Sequence, residues 1–327
     1  MRADVKLRAS AIAVAPLAML AGWFKALRVA QKKRASIMHA HWVIPGGVIG
    51  AAAAGSIPLV ISLHGSDVFV AERHAAARTA ARAAFGRASW VTACSEDLRL
   101  RAARIGADTD RSTVIPYGVD SNLFKPDVAE RRRGRERLGI GDNVPLIFAV
   151  GRLVKKKGFE YLIDAAAILK LQHANIRVVI AGDGDLDAAL RVRARAAGVE
   201  ENVLFLGVVP HHEVPMLLAA ADVAAAPSVH DDHGNVDGLP NTVMEIMASG
   251  TPLVATHAGG IGAIATDRRT ARLVAEHDAR ALAAAIADLL REPSSATVIG
   301  TQARDLVCRK HSWEQVAQNF EAVYERC

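Results

Sequence analysis

Residues 146–158 read LIFAVGRLVKKKG, an apolar run that ends at a glycine and passes into a basic loop. The following stretch, 159–171, carries apolar residues at helical spacing. A short apolar run, a glycine turn and a helix of ten or more residues are typical of one unit of a parallel α/β sheet. In such sheets, ligands bind where the loops leave the carboxyl ends of the strands.

The same alternation extends in both directions along the chain. Further apolar runs that predict strands are 58–62, 90–93, 113–115, 176–181, 203–206, 223–226 and 253–255. We therefore predict an α/β fold with two Rossmann-like, doubly wound domains. The predicted parts are a first domain at 1–125, a linker at 126–143, a second domain at 144–308 and a C-terminal helix at 309–327 that packs back toward the first domain. We expect the first domain to be incomplete, because it has fewer strand candidates and no glycine-rich opening turn.

Composition sets broad limits on function. The 327 residues are 51% hydrophobic and 23% charged, which indicates a globular protein of about two domains. A net charge of +6 favours anionic partners such as phosphate-bearing substrates or acidic membranes. The three cysteines are far apart and lack metal-binding spacing, so we expect no zinc site and a reducing compartment.

Two charged segments resemble targeting or binding elements. The run RRRGRER at 131–137 contains no aromatic residue, so a solvated linker helix is favoured over a nucleic-acid site, and no nucleic-acid partner is expected. The apolar stretch 10–24 follows basic residues as in a signal peptide, but it lacks a convincing cleavage site. It is also shorter than the ~20 residues that a spanning helix needs, and we predict an internal helix.

The stretch DGLPNTVME, residues 237–245, places two acids with seven residues between them, among which are a glycine and a proline. Proline suits the first turn of a helix and Gly250 suits its end, so Asp237 is predicted in a loop and Glu245 inside the helix. Free backbone N–H groups around Gly238 to Asn241 would form an anion site at the positive end of the helix. The alternative is an acidic loop with a surface glutamate.

Other polar groups follow predicted strands. Arg152 and Lys157 could close on a diphosphate, or belong to a solvated basic loop. His64 begins a loop after a strand, where it could bind a phosphate or a sugar hydroxyl, or simply start a helix. Core packing is predicted for His39 and Trp42. Residues 181–185, AGDGD, lack the third glycine of a dinucleotide fingerprint and indicate only a tight turn.

In their order along the chain, these segments resemble the retaining glycosyltransferases of family 4, also called glycosyl transferase group 1, which have the GT-B fold of two domains facing a cleft. The resemblance runs from about Ile37 to the C-terminus. It rests on the segments HAHW (39–42), LHGSD (63–67), IPYGVD (115–120), GR (151–152) with KG (157–158), IAGDG (180–184), FLG (205–207) and 237–252.

The resemblance implies that Arg152 and Lys157 bind the donor diphosphate and that Glu245 binds the nucleotide ribose. It also implies that Asp237 and the backbone of Gly238 and Leu239 meet the donor sugar, with His64 facing the donor from the other domain. Such enzymes are generally metal-independent and need no cofactor beyond the nucleotide-sugar donor. They retain the anomeric configuration by front-face attack, without an enzymic nucleophile.

Three departures from the family pattern stand out. Asp237 occupies a position where glutamate is common, although subsets of the family share the aspartate. Gly262 and Ala263 replace a common Pro-Glu pair, which puts a donor contact in question. The family's opening strand and glycine-rich loop have no counterpart before Ser10.

The leading prediction is a metal-independent, retaining glycosyltransferase that moves a hexose from a nucleoside-diphosphate sugar to a glycan or lipid-linked acceptor. The alternatives are a catalytically impaired nucleotide-sugar-binding fragment and a nucleotide-sugar epimerase on the same fold. The expected location is cytoplasmic, with peripheral contact at the acidic inner face of the membrane.

Overall fold

The computed structural model describes residues 9–327, with side chains from residue 16 onward. The chain divides into two compact units. Among the described residues, 9–116 and 316–327 make up the first unit, and 117–315 make up the second. The segment 126–143, expected as a linker, therefore lies within the second unit.

A four-stranded parallel sheet forms the centre of the first unit, in the order β1-β2-β3-β4. Its strands are β1 (Met38–His41), β2 (Leu59–Leu63), β3 (Trp90–Ala93) and β4 (Ser112–Val114). The helices around it are α1 (Ala9–Lys33), α2 (Val48–Ala53), α3 (Ser66–Arg73), α4 (Ala75–Arg87) and α5 (Glu96–Arg104), and a π-helical turn covers Val43–Gly47. All five residues of β2 are buried, as expected for an inner strand of a parallel sheet.

Within the first unit, the end of the chain returns to the sheet. The last helix, α14 (Trp313–Tyr324), belongs to this unit from Val316 onward. Its residues Val316 and Val323 form a buried cluster with Val60 of β2 and with Ile115. The apolar face of α14 therefore completes the core on one side of the first sheet.

The second unit is built on a six-stranded parallel sheet in the order β10-β9-β8-β5-β6-β7. The strands are β5 (Leu146–Val150), β6 (Arg177–Ala181), β7 (Val203–Gly207), β8 (Val223–Ala226), β9 (Leu253–Thr256) and β10 (Arg272–Val274). The helices are α6 (Val128–Leu138), α7 (Phe159–Lys170), α8 (Asp187–Ala196), α9 (Val214–Ala220), α10 (Asn241–Ala248), α11 (Ile261–Ile264), α12 (Ala279–Arg291) and α13 (Pro293–Lys310).

The strand order of the second sheet reverses between β5 and β8. The chain runs outward on one side through β6 and β7, then returns to form β8, β9 and β10 on the other side. The loops that leave β5 and β8 therefore diverge from neighbouring strands, and this arrangement is the topological switch point at which α/β sheets bind ligands.

The predicted α/β class with two parallel-sheet units is confirmed, and several strands have the predicted bounds or differ by one residue. Residues 38–41, which were not among the predicted strands, form β1, and β10 was not predicted either. Both are edge strands of three or four residues, and each carries polar or charged side chains. An apolar run therefore does not mark them.

The arginine-rich run is helical, as predicted, but it is not a solvated linker. Arg135 is only 2% exposed, and its guanidinium donates to the carbonyl of Ala220 at 2.8 Å and to that of Gly141 at 2.9 Å. Arg131 donates to Asp222 Oδ1 at 2.6 Å and to carbonyls at the end of α9. Both arginines bind carbonyls that the helix end leaves without partners, so α6 is fastened to α9.

Replacing Arg135 by methionine is expected to lower the free energy of unfolding by about 3 kcal/mol or more, because buried carbonyls lose a donor and Asp222 keeps only one of its two arginine partners. The matched control is Arg132→Met on the same helix, where the side chain is 82% exposed and pairs only with Glu136. That change should cost less than about 0.5 kcal/mol. Equal urea midpoints for the two variants would contradict the assignment.

Candidate donor site

The loop after β5 is held in place by the loop after β8. Residues Lys155–Lys157 form a single 3₁₀ turn that ends at Gly158, whose φ of 64° lies in the left-handed region. A Cβ at this glycine would lie 1.9 Å from the carbonyl oxygen of Pro227, so only glycine permits the contact. The Val229 N–H donates to the Lys156 carbonyl at 2.9 Å. The two loops at the switch point are thus joined through their backbones.

A second backbone contact supports the β5 loop from the β6 side. Gly182 has a φ of 139°, and a Cβ there would lie 1.8 Å from the carbonyl oxygen of Gly151. The Leu153 N–H donates to the Asp183 carbonyl at 3.0 Å. The glycines after β6 therefore let a tight turn pack directly against the basic loop, and this close approach is their role in the fold.

Two lysines and one aspartate form an ion cluster at the switch point. Lys157 Nζ lies 2.5 Å from Asp237 Oδ2, and Lys156 Nζ lies 2.9 Å from Asp237 Oδ1. The three side chains are 8–15% exposed. Burial acts to raise the pKa of Asp237, but the charges and hydrogen bonds of Lys157 and Lys156 outweigh it and lower that pKa to about 2. Asp237 is therefore ionised at neutral pH, and the cluster retains one excess positive charge.

Asp237 leads directly into α10. Leu239 is buried, Pro240 immediately precedes the helix, and α10 begins at Asn241. Its first N–H groups have no partner within the helix and form its positive end. This order agrees with the prediction of a loop aspartate followed by a helix, although the proline lies at the capping position rather than inside the first turn.

Glu245 lies just over one turn into α10, and its side chain is 14% exposed. Its Oε1 lies 3.0 Å from Nε2 of His211, a residue in the 3₁₀ turn before α9. The ring of His211 also contacts the ring of Phe124 edge-on, with centroids 5.3 Å apart. The glutamate is thus a partly buried carboxylate whose orientation is set by a neighbouring imidazole.

Arg152 is an exposed residue of the β5 loop, three positions before the lysine turn. The structure therefore places Arg152 and Lys157 on one loop, and it brings Lys157 and Asp237 into direct contact. Gly238 and Leu239 follow Asp237 at the entrance to α10. These predicted donor-site residues share the carboxyl edge of the second sheet, where β5 and β8 end.

The first unit holds a separate group of polar side chains at the ends of β1 and β2. His64 Nε2 and His41 Nδ1 are 2.9 Å apart, and the His41 ring stacks on that of His39 with centroids 4.6 Å apart. Burial, followed by the neighbouring His41, lowers the pKa of His64 to about 4. His64 is therefore a neutral imidazole at physiological pH.

Asp67 connects the loops after β1 and β2. Its carboxylate accepts from the Val43 N–H at 2.7 Å and from the Gly65 N–H at 3.0 Å. Burial raises the pKa of Asp67, and its backbone hydrogen bonds act in the opposite direction. The buried carboxyl group holds the loop that carries His64.

Core packing was predicted for His39 and Trp42, and the structure gives the two residues different environments. His39 is half-buried and hydrogen-bonded to Ser62 Oγ at 2.7 Å and to the Tyr324 hydroxyl at 2.8 Å. Trp42 is 48% exposed, so the prediction for this residue was wrong. Its φ of 61° turns the chain at the end of β1 and directs the indole away from the core.

Two residues of the candidate donor site were not identified as functional from the sequence. Lys156 was regarded only as part of a lysine run, although it is buried against Asp237. His211 gave no usable signal, because its contact with Glu245 joins positions 34 residues apart. The three consecutive lysines were a weak signal, since a run of three on a tight turn cannot point all its side chains into solvent.

Comparisons with known proteins agree with this arrangement. Residues 130–306 match the family described as glycosyl transferases group 1, and residues 8–123 match glycosyltransferase family 4. The GDP-mannose-dependent alpha-(1-6)-phosphatidylinositol monomannoside mannosyltransferase of Mycolicibacterium smegmatis is 34% identical over 261 residues, which are 80% of this chain and 68% of that protein. The D-inositol 3-phosphate glycosyltransferase of Corynebacterium glutamicum is 34% identical over 67% of this chain and 52% of that protein.

A solved structure supports the fold independently. The Anabaena protein Alr3699/HepE, in complex with UDP, superposes with a TM-score of 0.84 at 24% identity, covering 93% of this chain and 82% of that one. Because both halves of the chain match and the fold agrees, the chain belongs to the glycosyl transferase group 1 family, with the GT-B architecture.

Proposed function

We propose that this chain transfers a hexose from a nucleoside-diphosphate sugar to a glycan or lipid-linked acceptor. The observation that carries the proposal is the buried Lys156–Asp237–Lys157 cluster at the switch point of the second sheet. Its excess positive charge and the amino end of α10 suit a diphosphate. The named relatives, which are transferases of the same family, favour this function over a binding fragment or an epimerase.

The proposed donor contacts follow from these positions. Lys157 and Arg152 bind the diphosphate, and Glu245 accepts hydrogen bonds from the ribose hydroxyls. Asp237, ionised at neutral pH, accepts from a hydroxyl of the donor sugar, while the backbone of Gly238 and Leu239 lies against that sugar. A relative that depends on GDP-mannose supports GDP-mannose as the first donor to test, and the Anabaena Alr3699/HepE structure in complex with UDP-glucose supports UDP-glucose as the second.

We propose a retaining, metal-independent reaction without a further cofactor. The bond from the sugar's anomeric carbon to the diphosphate breaks, and a bond to the acceptor oxygen forms on the same face. The acceptor's proton passes to the departing phosphate oxygen. Lys157 and Arg152 stabilise the negative charge that develops on the leaving group. For His64, a neutral imidazole, we propose a hydrogen bond to a sugar or phosphate group of a substrate.

We also propose that the protein works in the cytoplasm and contacts the acidic inner face of the membrane. Among the described residues, no helix combines the length and apolarity needed to cross a bilayer. Helix α1 presents Leu17, Leu20 and Phe24 to solvent at 60–70% exposure, and their spacing places them on one face. The described part of α1 carries basic residues and no acid, which suits an anionic surface.

Substituting Lys157 or Glu245 by alanine is expected to weaken binding of GDP-mannose or UDP-glucose at least tenfold, or about 1.4 kcal/mol. Lys157 loses a charge on the diphosphate, and Glu245 loses its ribose contact. Binding would be measured by calorimetry after a thermal-shift screen across nucleoside-diphosphate sugars has identified the donor. Lys170→Ala, at the end of α7, and Glu200→Ala, in the turn after α8, serve as controls. Unchanged donor affinity in both site variants would remove the basis of the donor site.

The reaction itself gives a second prediction. Proton NMR of the product should show the same anomeric configuration as the donor, and EDTA should leave the initial rate unchanged, because protein cations stabilise the leaving group. An inverted product would refute the front-face route. Loss of activity in EDTA, restored by a divalent cation, would refute metal independence.

Replacing both Leu20 and Phe24 by glutamine should reduce binding to phosphatidylglycerol vesicles by about fivefold or more, because an interfacial helix binds through its apolar face. Co-sedimentation measures the bound fraction. A control variant, Leu171→Gln, changes a side chain that is 87% exposed in the second unit and should bind like the parent. Equal sedimentation with phosphatidylcholine vesicles, or no effect of the double change, would argue against the membrane contact.

A further inference from the structure

Lys156 is a buried cation, and none of the proposed donor contacts involves it. It lies between Lys155, which pairs with Glu160 at 3.1 Å, and Lys157, which is assigned to the diphosphate. Its side chain is only 8% exposed, the least of the three lysines. Burying an ammonium group is costly unless it is paired, so its position requires a specific partner. Asp237 is that partner.

Lys156 holds both ends of the segment that carries Asp237. Its carbonyl accepts from the Val229 N–H at 2.9 Å, where the segment leaves β8, and its Nζ binds Asp237 at 2.9 Å, where the segment ends. Inside the segment, Asp231 Oδ1 accepts from the N–H groups of His233 and Asn235 at 2.9 Å and closes a turn. One residue of the β5 loop thus fixes the start and the end of the loop after β8.

The second lysine that binds Asp237 becomes important when a diphosphate is bound. Each carboxylate oxygen binds one ammonium group, Lys157 on Oδ2 and Lys156 on Oδ1. A diphosphate carries more negative charge than a carboxylate and attracts Lys157 toward itself. With Lys157 alone, Asp237 would then be a buried carboxylate without a counter-ion, and it would be free to follow the lysine or to become protonated.

We propose that Lys156 is a positioning residue that keeps Asp237 ionised and aimed at the donor sugar while Lys157 binds the diphosphate. The inference rests on the proposed donor site, and it assigns a different role to each of the two lysines. Lys157 binds the part that nucleoside diphosphate and nucleotide sugar share. Lys156 acts only through Asp237, and therefore only on the sugar.

This division is tested by comparing a nucleotide sugar with its own nucleoside diphosphate. We would measure calorimetric affinities of Lys156→Met and Lys157→Met for GDP-mannose against GDP, and for UDP-glucose against UDP. Lys156→Met should weaken binding of the nucleotide sugar at least about fivefold, or 1 kcal/mol, and leave nucleoside diphosphate binding within about twofold. Lys157→Met should weaken both ligands to a similar degree. Lys156→Arg, which keeps the charge, should restore the affinity for the nucleotide sugar.

The outcomes separate the inference from the proposed function. If Lys156→Met weakens both ligands equally, or if Lys156→Arg restores nothing, the positioning role is refuted while the donor site stands. If the unmodified chain binds neither ligand pair, both proposals fail together. Should Lys156→Met not fold, Lys156→Gln keeps a hydrogen-bond donor without the charge, and the same comparison applies. A purely structural role would lower the melting temperature without changing the ratio of the two affinities.

Discussion

The contact between Asp237 and the two lysines is the interaction on which the donor side of the second unit depends. Strands β5 and β8 are neighbours, but the chain leaves them in opposite directions across the sheet. Nothing in the sheet itself keeps their loops together. A buried carboxylate with one ammonium group on each oxygen does so, and those same charges keep the carboxylate ionised. The ion cluster therefore joins the loops and gives them their positive character.

Backbone contacts make this cluster rigid. Gly158 lies against Pro227, and Gly182 lies against Gly151. These two contacts hold the β5 loop, which carries Arg152. Such close approach excludes side chains at these glycines, so the loop has few alternative conformations. Groups that bind an anion are most effective when they need no reorganisation as the ligand arrives. The same glycine contacts that complete the fold thus preorganise the proposed diphosphate site.

The two units provide different chemistry. The second unit places charged groups at its sheet edge, with a surplus of cations suited to a leaving diphosphate. The first unit instead offers histidines whose burial and mutual proximity disfavour the charged form, as the lowered pKa values of His39 and His64 indicate. Neutral imidazoles can both donate and accept hydrogen bonds, as polyhydroxylated substrates require. This contrast is consistent with membership in a family of glycosyltransferases, which transfer a sugar from a donor to an acceptor.

The sequence by itself determined the α/β class, the inner strands and the order of the motifs, because apolar runs and glycine turns are local signals. Strands β3, β5 and β8 have the predicted bounds. Edge strands β1 and β10 escaped prediction, since short strands with polar residues resemble loops. Only the tertiary structure decided that Arg135 is buried, that Trp42 is exposed and that Lys156 shares Asp237 with Lys157. Arg135 and Lys156 are buried against partners distant in the chain, and the burial of a charged side chain cannot be predicted until the position of its counter-charge is known. The exposure of Trp42 follows from its positive φ at the end of β1.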